Sequence, residues 1–342
     1  MEPLAIVASG MVTSVGLTAP AACAAIRARL DRFTETHFMF KGEWLLGSSV
    51  LLEQPWRGRE KLIQFAVRVI EECLAADRET PLSEIPLILC VAEQSRPGRF
   101  ADLDESLLKD VQDRTGHTFH KDSCVISKGR VGGIEAMRLA VELIHQGRPR
   151  CLICGVDTFL TAPTLTVFEE KRRLLTSENS DGFIPGEAGA AVLLRRAGGD
   201  GRPAVCCLGL GFAKESATIE SGEAFRGDGM VAAVRSALND AGLSMADVDF
   251  RIVDVSGEQY GFKEAALVVS RLLRQRKEEM DIWHPADCVG EVGAAAVPIM
   301  LSVVEAASRK RYAPGATVLC HAANDAGERG AMVLRYVNGK TG

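Results

Sequence analysis

Ten cysteines and six histidines are the residues of this chain best suited to metal, redox or nucleophilic chemistry. Cys151 and Cys154 form a CxxC within RPRCLICGVD. A zinc site needs a second pair of ligands at workable spacing, and none follows. The motif lies in an apolar run that reads as a strand, where side chains three apart face opposite sides. Most other cysteines also sit in apolar runs, among them LILC, AVCCLGL and TVLC. They read as core packing in a reducing, cytoplasmic setting. No metal and no cofactor is expected.

The elements that would position any reactive group alternate between apolar strand-like runs and amphipathic helical patterns, as in a layered α/β fold. Strands are read at Pro86–Val91, Cys124–Ile126, Cys151–Val156 and Ala188–Leu194. In the second half they fall at Val205–Gly211, Phe250–Val255, Thr317–Cys320 and Ala331–Tyr336. Helices are read at Pro20–Phe33, Glu60–Ala75, Gly133–Gln146, Asp228–Ala241, Phe262–Gln275 and Val292–Ser308. The two halves share this grammar, which suggests a duplication. The Gly-rich stretch AGGDGR, Ala197–Arg202, marks the join, dividing the chain into 1–198 and 199–342.

The 342 residues are 47% hydrophobic and 25% charged, with a net charge of −5 and no long run of one sign. Nothing points to nucleic acid. The N-terminus lacks the basic flank of a secretory signal, and no run is apolar enough to span a bilayer.

Four stretches resemble the thiolase superfamily, specifically the β-ketoacyl synthases. They are VASGMVTSVGLT (Val7–Thr18), RLLTSENSDGFIPGEAGAAVLL (Arg173–Leu194), MVAAVRSALNDAGLSMADVDF (Met230–Phe250) and VGEVGAAA (Val289–Ala296). The second is the most specific; its Glu187 is expected to bond backbone. The resemblance implies an α/β fold, the thiolase-like five-layer αβαβα arrangement with two similar halves, and a homodimer. The chain is shorter than a typical condensing enzyme.

The resemblance also implies a cysteine nucleophile and two histidines that stabilise an enolate. Counting back from the helix GIEAMRLA puts Ile126 or Ser127 at the nucleophile position, whereas counting from Asp122 and Ser123 puts Cys124 there. The helix count makes Cys124 a buried strand residue; Cys124, then Ser127, remain the candidate nucleophiles. The first histidine position falls on Ser256, with Glu258 nearby, and the second on Gly290. His284 is the nearby imidazole, in a WHP turn, and His321 inherits no role. The Gly-rich loop that holds the family's gating Phe reads HAANDAGERGA and has none.

Four loops are expected to meet at one place, with Ser127, Lys128, Gly129, Ser256, Glu258, Gly290, Glu291, Asn324 and Glu328 lining it. The leading expectation is a non-condensing binding, scaffold or adaptor protein, of the short form that accompanies type VI secretion effector modules. The alternatives are an acyltransferase or hydrolase on acyl-thioesters or an acyl carrier, using Cys124 or Ser127, and a non-catalytic partner subunit of an active ketosynthase.

Overall fold

The computed structural model describes residues 2–77, 80–198 and 201–338. The first half runs β1 (Leu4–Val12), α1 (Ala19–Arg27), β2 (Thr34–Phe40), β3 (Glu43–Gly47), α2 (Gly58–Leu74), β4 (Leu87–Val91), α3 (Leu103–Thr115), β5 (Cys124–Ser127), α4 (Gly132–His145), β6 (Cys151–Thr158), α5 (Ala162–Glu170) and β7 (Glu187–Arg196). The second runs β8 (Ala204–Lys214), α6 (Asp228–Asp240), β9 (Phe250–Val253), α7 (Gln259–Leu272), β10 (Ile282–Trp283), α8 (Ala286–Val289), α9 (Ala296–Arg309), β11 (Thr317–Ala323) and β12 (Glu328–Val337).

Ten of these strands form one sheet in the order β10-β9-β11-β12-β8-β1-β7-β6-β4-β5. Read outward from its middle, each side repeats the same pattern. β1 is antiparallel to β7 and β7 to β6, whereas β6, β4 and β5 are parallel. On the other side β8 is antiparallel to β12 and β12 to β11, whereas β11, β9 and β10 are parallel. The two five-strand units meet through β1 and β8, at Leu4 with Cys207 and Ala5 with Cys206. The join read at Ala197–Arg202 includes residues 199 and 200, which lie outside the described residues.

Strand alternation builds the layers. On β4, Ile88 and Cys90 face a central core with α4 and α9, while Leu87, Leu89 and Val91 face an outer core with α2 and α3. On β11, Val318 and Cys320 face the same centre, while Leu319 faces the opposite outer core with α6. The result is helix, sheet, helix, sheet, helix. Cys151 packs in the central core and Cys154 in an outer one, so the CxxC is split across the sheet. α9 buries eleven of its fourteen residues, as a central helix must; α4 keeps one polar strip, where Arg138 pairs with Glu135 and Glu142.

Some elements differ from the sequence reading. The helix read as Pro20–Phe33 stops at Arg27, and Arg29 turns left-handed at φ 54°. The following residues form the β2–β3 hairpin, closed by Lys41 and Gly42 at positive φ. Helices α3 and α5 have no counterpart among the sequence-based expectations. α3 buries only Leu103, Leu107 and Val111, a stripe too narrow to stand out.

Candidate functional site

The site forms where β5 ends and the chain turns into α4. Lys128 (φ −125°, ψ 13°) precedes Gly129 at φ 53°, and one tight turn, Gly129–Val131, leads into the helix. The second half repeats this before α9: Val292 (φ −120°, ψ 15°), Gly293 at φ 52°, then the turn Gly293–Ala295. These left-handed positions suit glycine, and each faces an acid. A Cβ on Gly129 would fall 2.1 Å from Glu93 Oε2, and one on Gly293 would fall 1.9 Å from Asp157 Oδ2. Backbone N–H groups at this second turn donate to carboxylates, Gly293 to Glu291 Oε1 at 2.8 Å and Ala294 to Asp157 Oδ2 at 2.9 Å. Negative charge is favoured at such a helix start.

The residue just past Gly129 is Arg130. Its Nη1 donates to Glu291 Oε2 at 2.8 Å, its Nη2 to Asp325 Oδ1 at 3.1 Å and its Nε to the Ala323 carbonyl at 2.8 Å; Asp254 Oδ2 lies 3.5 Å from Nε. Two further arginines flank it. Arg96 forks onto Glu93 at 2.8 and 2.6 Å, reaches Asp157 at 3.3 Å and stacks 3.9 Å over the Phe159 ring. Arg173 forks onto Glu258 at 2.7 Å through Nε and Nη2, and its Nη1 bonds Asp325 Oδ2 at 2.5 Å. Such forks are the strong, geometry-specific form of ion pair.

Burial and pairing split the acids. Burial pushes Asp157 up to about 6 despite Arg96, and Asp254 up to about 6 despite Arg130. Asp325 resists the same burial, because Arg130 and Arg173 together hold it down to about 2. The carboxylates set the guanidiniums of Arg96, Arg130 and Arg173 above their ordinary range against the pull of burial.

The four loops do meet here. Ser256 Oγ donates to Glu291 Oε2 at 2.8 Å. Asn324 Nδ2 donates to the Lys128 carbonyl at 3.2 Å and to Glu328 Oε2 at 2.7 Å, and Lys128 Nζ pairs with Glu328 Oε1 at 2.5 Å. Ser256, Glu258 and Asn324 line a cavity of about 40 Å³ beside Arg130 and Arg173. Gly290 adds no side chain. At φ 71° and ψ −169° it holds a conformation that is essentially glycine-only, and a Cβ would sit 2.7 Å from the Ile184 carbonyl oxygen. Its neighbour Glu291 supplies the group that points at Arg130.

Neither candidate nucleophile lines that cavity. Cys124 is the first residue of β5, opposite Ile88, half-buried and at the end of the strand away from α4. Burial raises its thiol. Ser127 Oγ is held by Asp104 and by Arg99 Nη2, which donates at 3.1 Å. His284 follows β10, at the edge of the sheet opposite β5. Its Nδ1 is 2.8 Å from Asp287 Oδ1 and its ring meets Phe262 edge-on. His321 is buried on β11 with no partner on either nitrogen. Cys124 and His284 thus sit on opposite edges of one sheet. Glu187 does bond backbone, accepting from Val50 N at 2.9 Å, and also holds Lys61. Among the described residues no group of three or more His, Cys, Asp or Glu could hold a metal ion, and no helix is long and apolar enough to cross a membrane.

This architecture can be set beside solved structures. One match holds a ketosynthase of a type II polyketide synthase with its acyl-carrier protein; it aligns over 98% of this chain and all of its own, with a TM-score of 0.82 and 16% identity. Another is the ketosynthase ApeO with its chain length factor ApeC from Xenorhabdus doucetiae (TM-score 0.75, 15% identity, 98% of each chain). A β-ketoacyl synthase from Burkholderia phymatum aligns over 98% of this chain and all of its own, with a TM-score of 0.74 and 17% identity. The chain has the thiolase-like fold of the β-ketoacyl synthases. No family model and no curated sequence matches it.

Arg130, Arg96, Arg173, Asp157 and Asp325 are the site residues that sequence reasoning missed. The available signal was the paired spacing of GRVGG and GAAA before two apolar helices, which aligns Gly129 with Gly293 and so marks Arg130 as the residue at the helix start.

Proposed function

We propose that this chain is a non-condensing ketosynthase-like protein that works by binding, as a partner subunit or scaffold. The observation that carries the reading is Arg130 at the start of α4, held by Glu291, Asp325 and the Ala323 carbonyl. Condensation needs a thiolate at a helix start and imidazoles that stabilise an enolate. Here the helix start carries a guanidinium that cannot act as a nucleophile, and acids take the place where negative charge would have to develop. The neighbours that pair a ketosynthase with a chain length factor support the partner role. The free outer edge of β5 supports pairing with a second copy of this chain, because an uncovered edge strand invites association.

The test is incubation with malonyl- and acyl-thioesters, read by mass spectrometry and by release of carbon dioxide. Neither a covalent adduct nor decarboxylation is expected. Turnover abolished by Cys124→Ala or Ser127→Ala would overturn the reading in favour of an acyltransferase or hydrolase. Light scattering should give twice the chain mass.

A further inference from the structure

His321 is 2% exposed, and both of its ring nitrogens lack a partner. A neutral imidazole offers one donor and one acceptor, and burying both unmet is costly. The ring belongs to the outer face of β11, since Leu319 two residues earlier packs in the outer core. It lines the 40 Å³ cavity beneath the first turns of α7, together with Asp254, Ser256, Tyr260, Glu264 and Arg329. That volume admits an ion or a few water-sized groups.

Four carboxyls, those of Asp254, Glu258, Glu264 and Asp325, and three guanidiniums, those of Arg130, Arg173 and Arg329, line this space, which leaves one negative charge over. Glu264 Oε1 accepts from Arg329 Nε at 2.8 Å. Glu215, close enough to raise Glu264, accepts from the backbone N–H groups of Ala217 and Gly229. Asp254 accepts from Ala323 N at 2.8 Å and pairs with Arg130 at 3.5 Å. Burial pushes Glu264 up to about 7, with Asp254 and Glu215 adding to the shift against Arg329. A further positive charge would relieve that strain.

The geometry points to a binding site for a primary ammonium group, as free ammonium or as the head of a small alkylamine. Its N–H groups would donate to the acceptor nitrogen of His321 and to carboxylate oxygens of Asp254 and Glu264. Above the cavity lies an open vestibule of about 430 Å³ that shares Arg173, Ile219, Glu258 and Tyr260 with it. An amine's tail would extend there. This site does not depend on the partner-subunit reading, because two of its three ligands, His321 and Glu264, are bonded to none of Arg130, Glu291 and Asp325.

The test is thermal unfolding of the intact chain at pH 8 and constant ionic strength in the chlorides of ammonium, methylammonium, tetramethylammonium and sodium. A rise of about 2 °C is expected at saturating ammonium and methylammonium. Sodium, and tetramethylammonium, which has no N–H and is too large for the cavity, should give none. The rise should vanish in Asp254→Asn and His321→Phe and persist in Glu305→Gln, a carboxylate on α9. Where His321→Phe fails to fold, calorimetric titration of methylammonium into the parent chain and Asp254→Asn makes the same comparison. Equal effects of all four salts, a response that survives Asp254→Asn, or no binding of either amine would overturn the site.

Discussion

Arg130 Nη1 lies 2.8 Å from Glu291 Oε2, tying the start of α4 in the first half to the segment before α9 in the second. Glu291 is buried and Arg130 largely so, its side chain 17% exposed, and Glu291 also accepts from Ser256. Removing the arginine leaves Glu291, Asp254 and Asp325 facing one another without their shared cation. Arg130→Ala is expected to lose about 3–5 kcal/mol, the usual cost of breaking a buried pair from one side. Urea unfolding measures it, and a loss below about 1 kcal/mol would mean that the network is not what joins the halves here.

Gly290 makes a second, independent demand. Its φ of 71° and ψ of −169° strain any side chain, and a Cβ would meet the Ile184 carbonyl oxygen at 2.7 Å. Gly290→Ala should cost on the order of 1–3 kcal/mol. Gly290→His, placing an imidazole where the family resemblance puts one, should yield an unstable chain and no condensing activity. A Gly290→Ala melt that overlays the parent curve would show that the segment relaxes freely.

The strands and central helices were legible because their signals are local. Runs such as PLILCV and FRIVDV alternate between two cores, and the apolar pattern of Val292–Ser308 survives as α9. The convergence of the loops around Lys128, Ser256, Glu291 and Asn324 could be anticipated from the fold resemblance. The arginines could not. A lone Arg in SKGRVGG or RRLL reads as solvated; only tertiary folding sets Arg130 among Glu291, Asp325 and Asp254, and Arg173 on Glu258. The register before α9 was equally hidden, since it depends on the backbone conformation of Gly290 and the direction of the next side chain.

Glu264 sets a pH dependence. Burial raises its folded pKa from 4.5 to about 7 against the pull of Arg329. The folded state then binds more protons than the unfolded one between those values, so this contribution to stability falls as pH rises through the window. Asp254, raised to about 6, acts in the same direction. Asp325, held down to about 2, contributes above 3.8 and is lost only in stronger acid. Asp157, also raised to about 6, adds to the decline, whereas His321, lowered to about 3 by burial, opposes it below 6.5; the three raised carboxyls outweigh the one imidazole, and stability is expected to decline from pH 5 to pH 7. Glu264→Gln, which mimics the protonated form, should make that decline shallower. Urea midpoints at pH 5, 6 and 7 decide it; identical slopes for parent and variant would exclude Glu264 as a source.

Cys124 is the most exposed of the ten cysteines, and it lies on β5, the last strand of the sheet. Burial raises its thiol and no imidazole is paired with it, so alkylation should be slow. If a second copy covers the β5 edge, Cys124 is shielded in the dimer and uncovered in the monomer. Iodoacetamide labelling at pH 8, with the modified residue located by mass spectrometry, should therefore speed up on dilution through the dimer dissociation range. A covering partner of about 800 Å² per subunit is the ordinary size for a stable interface and would bury a four-residue edge entirely. A labelling rate independent of concentration, together with monomeric mass by light scattering, would place the subunit contact away from β5 or remove it.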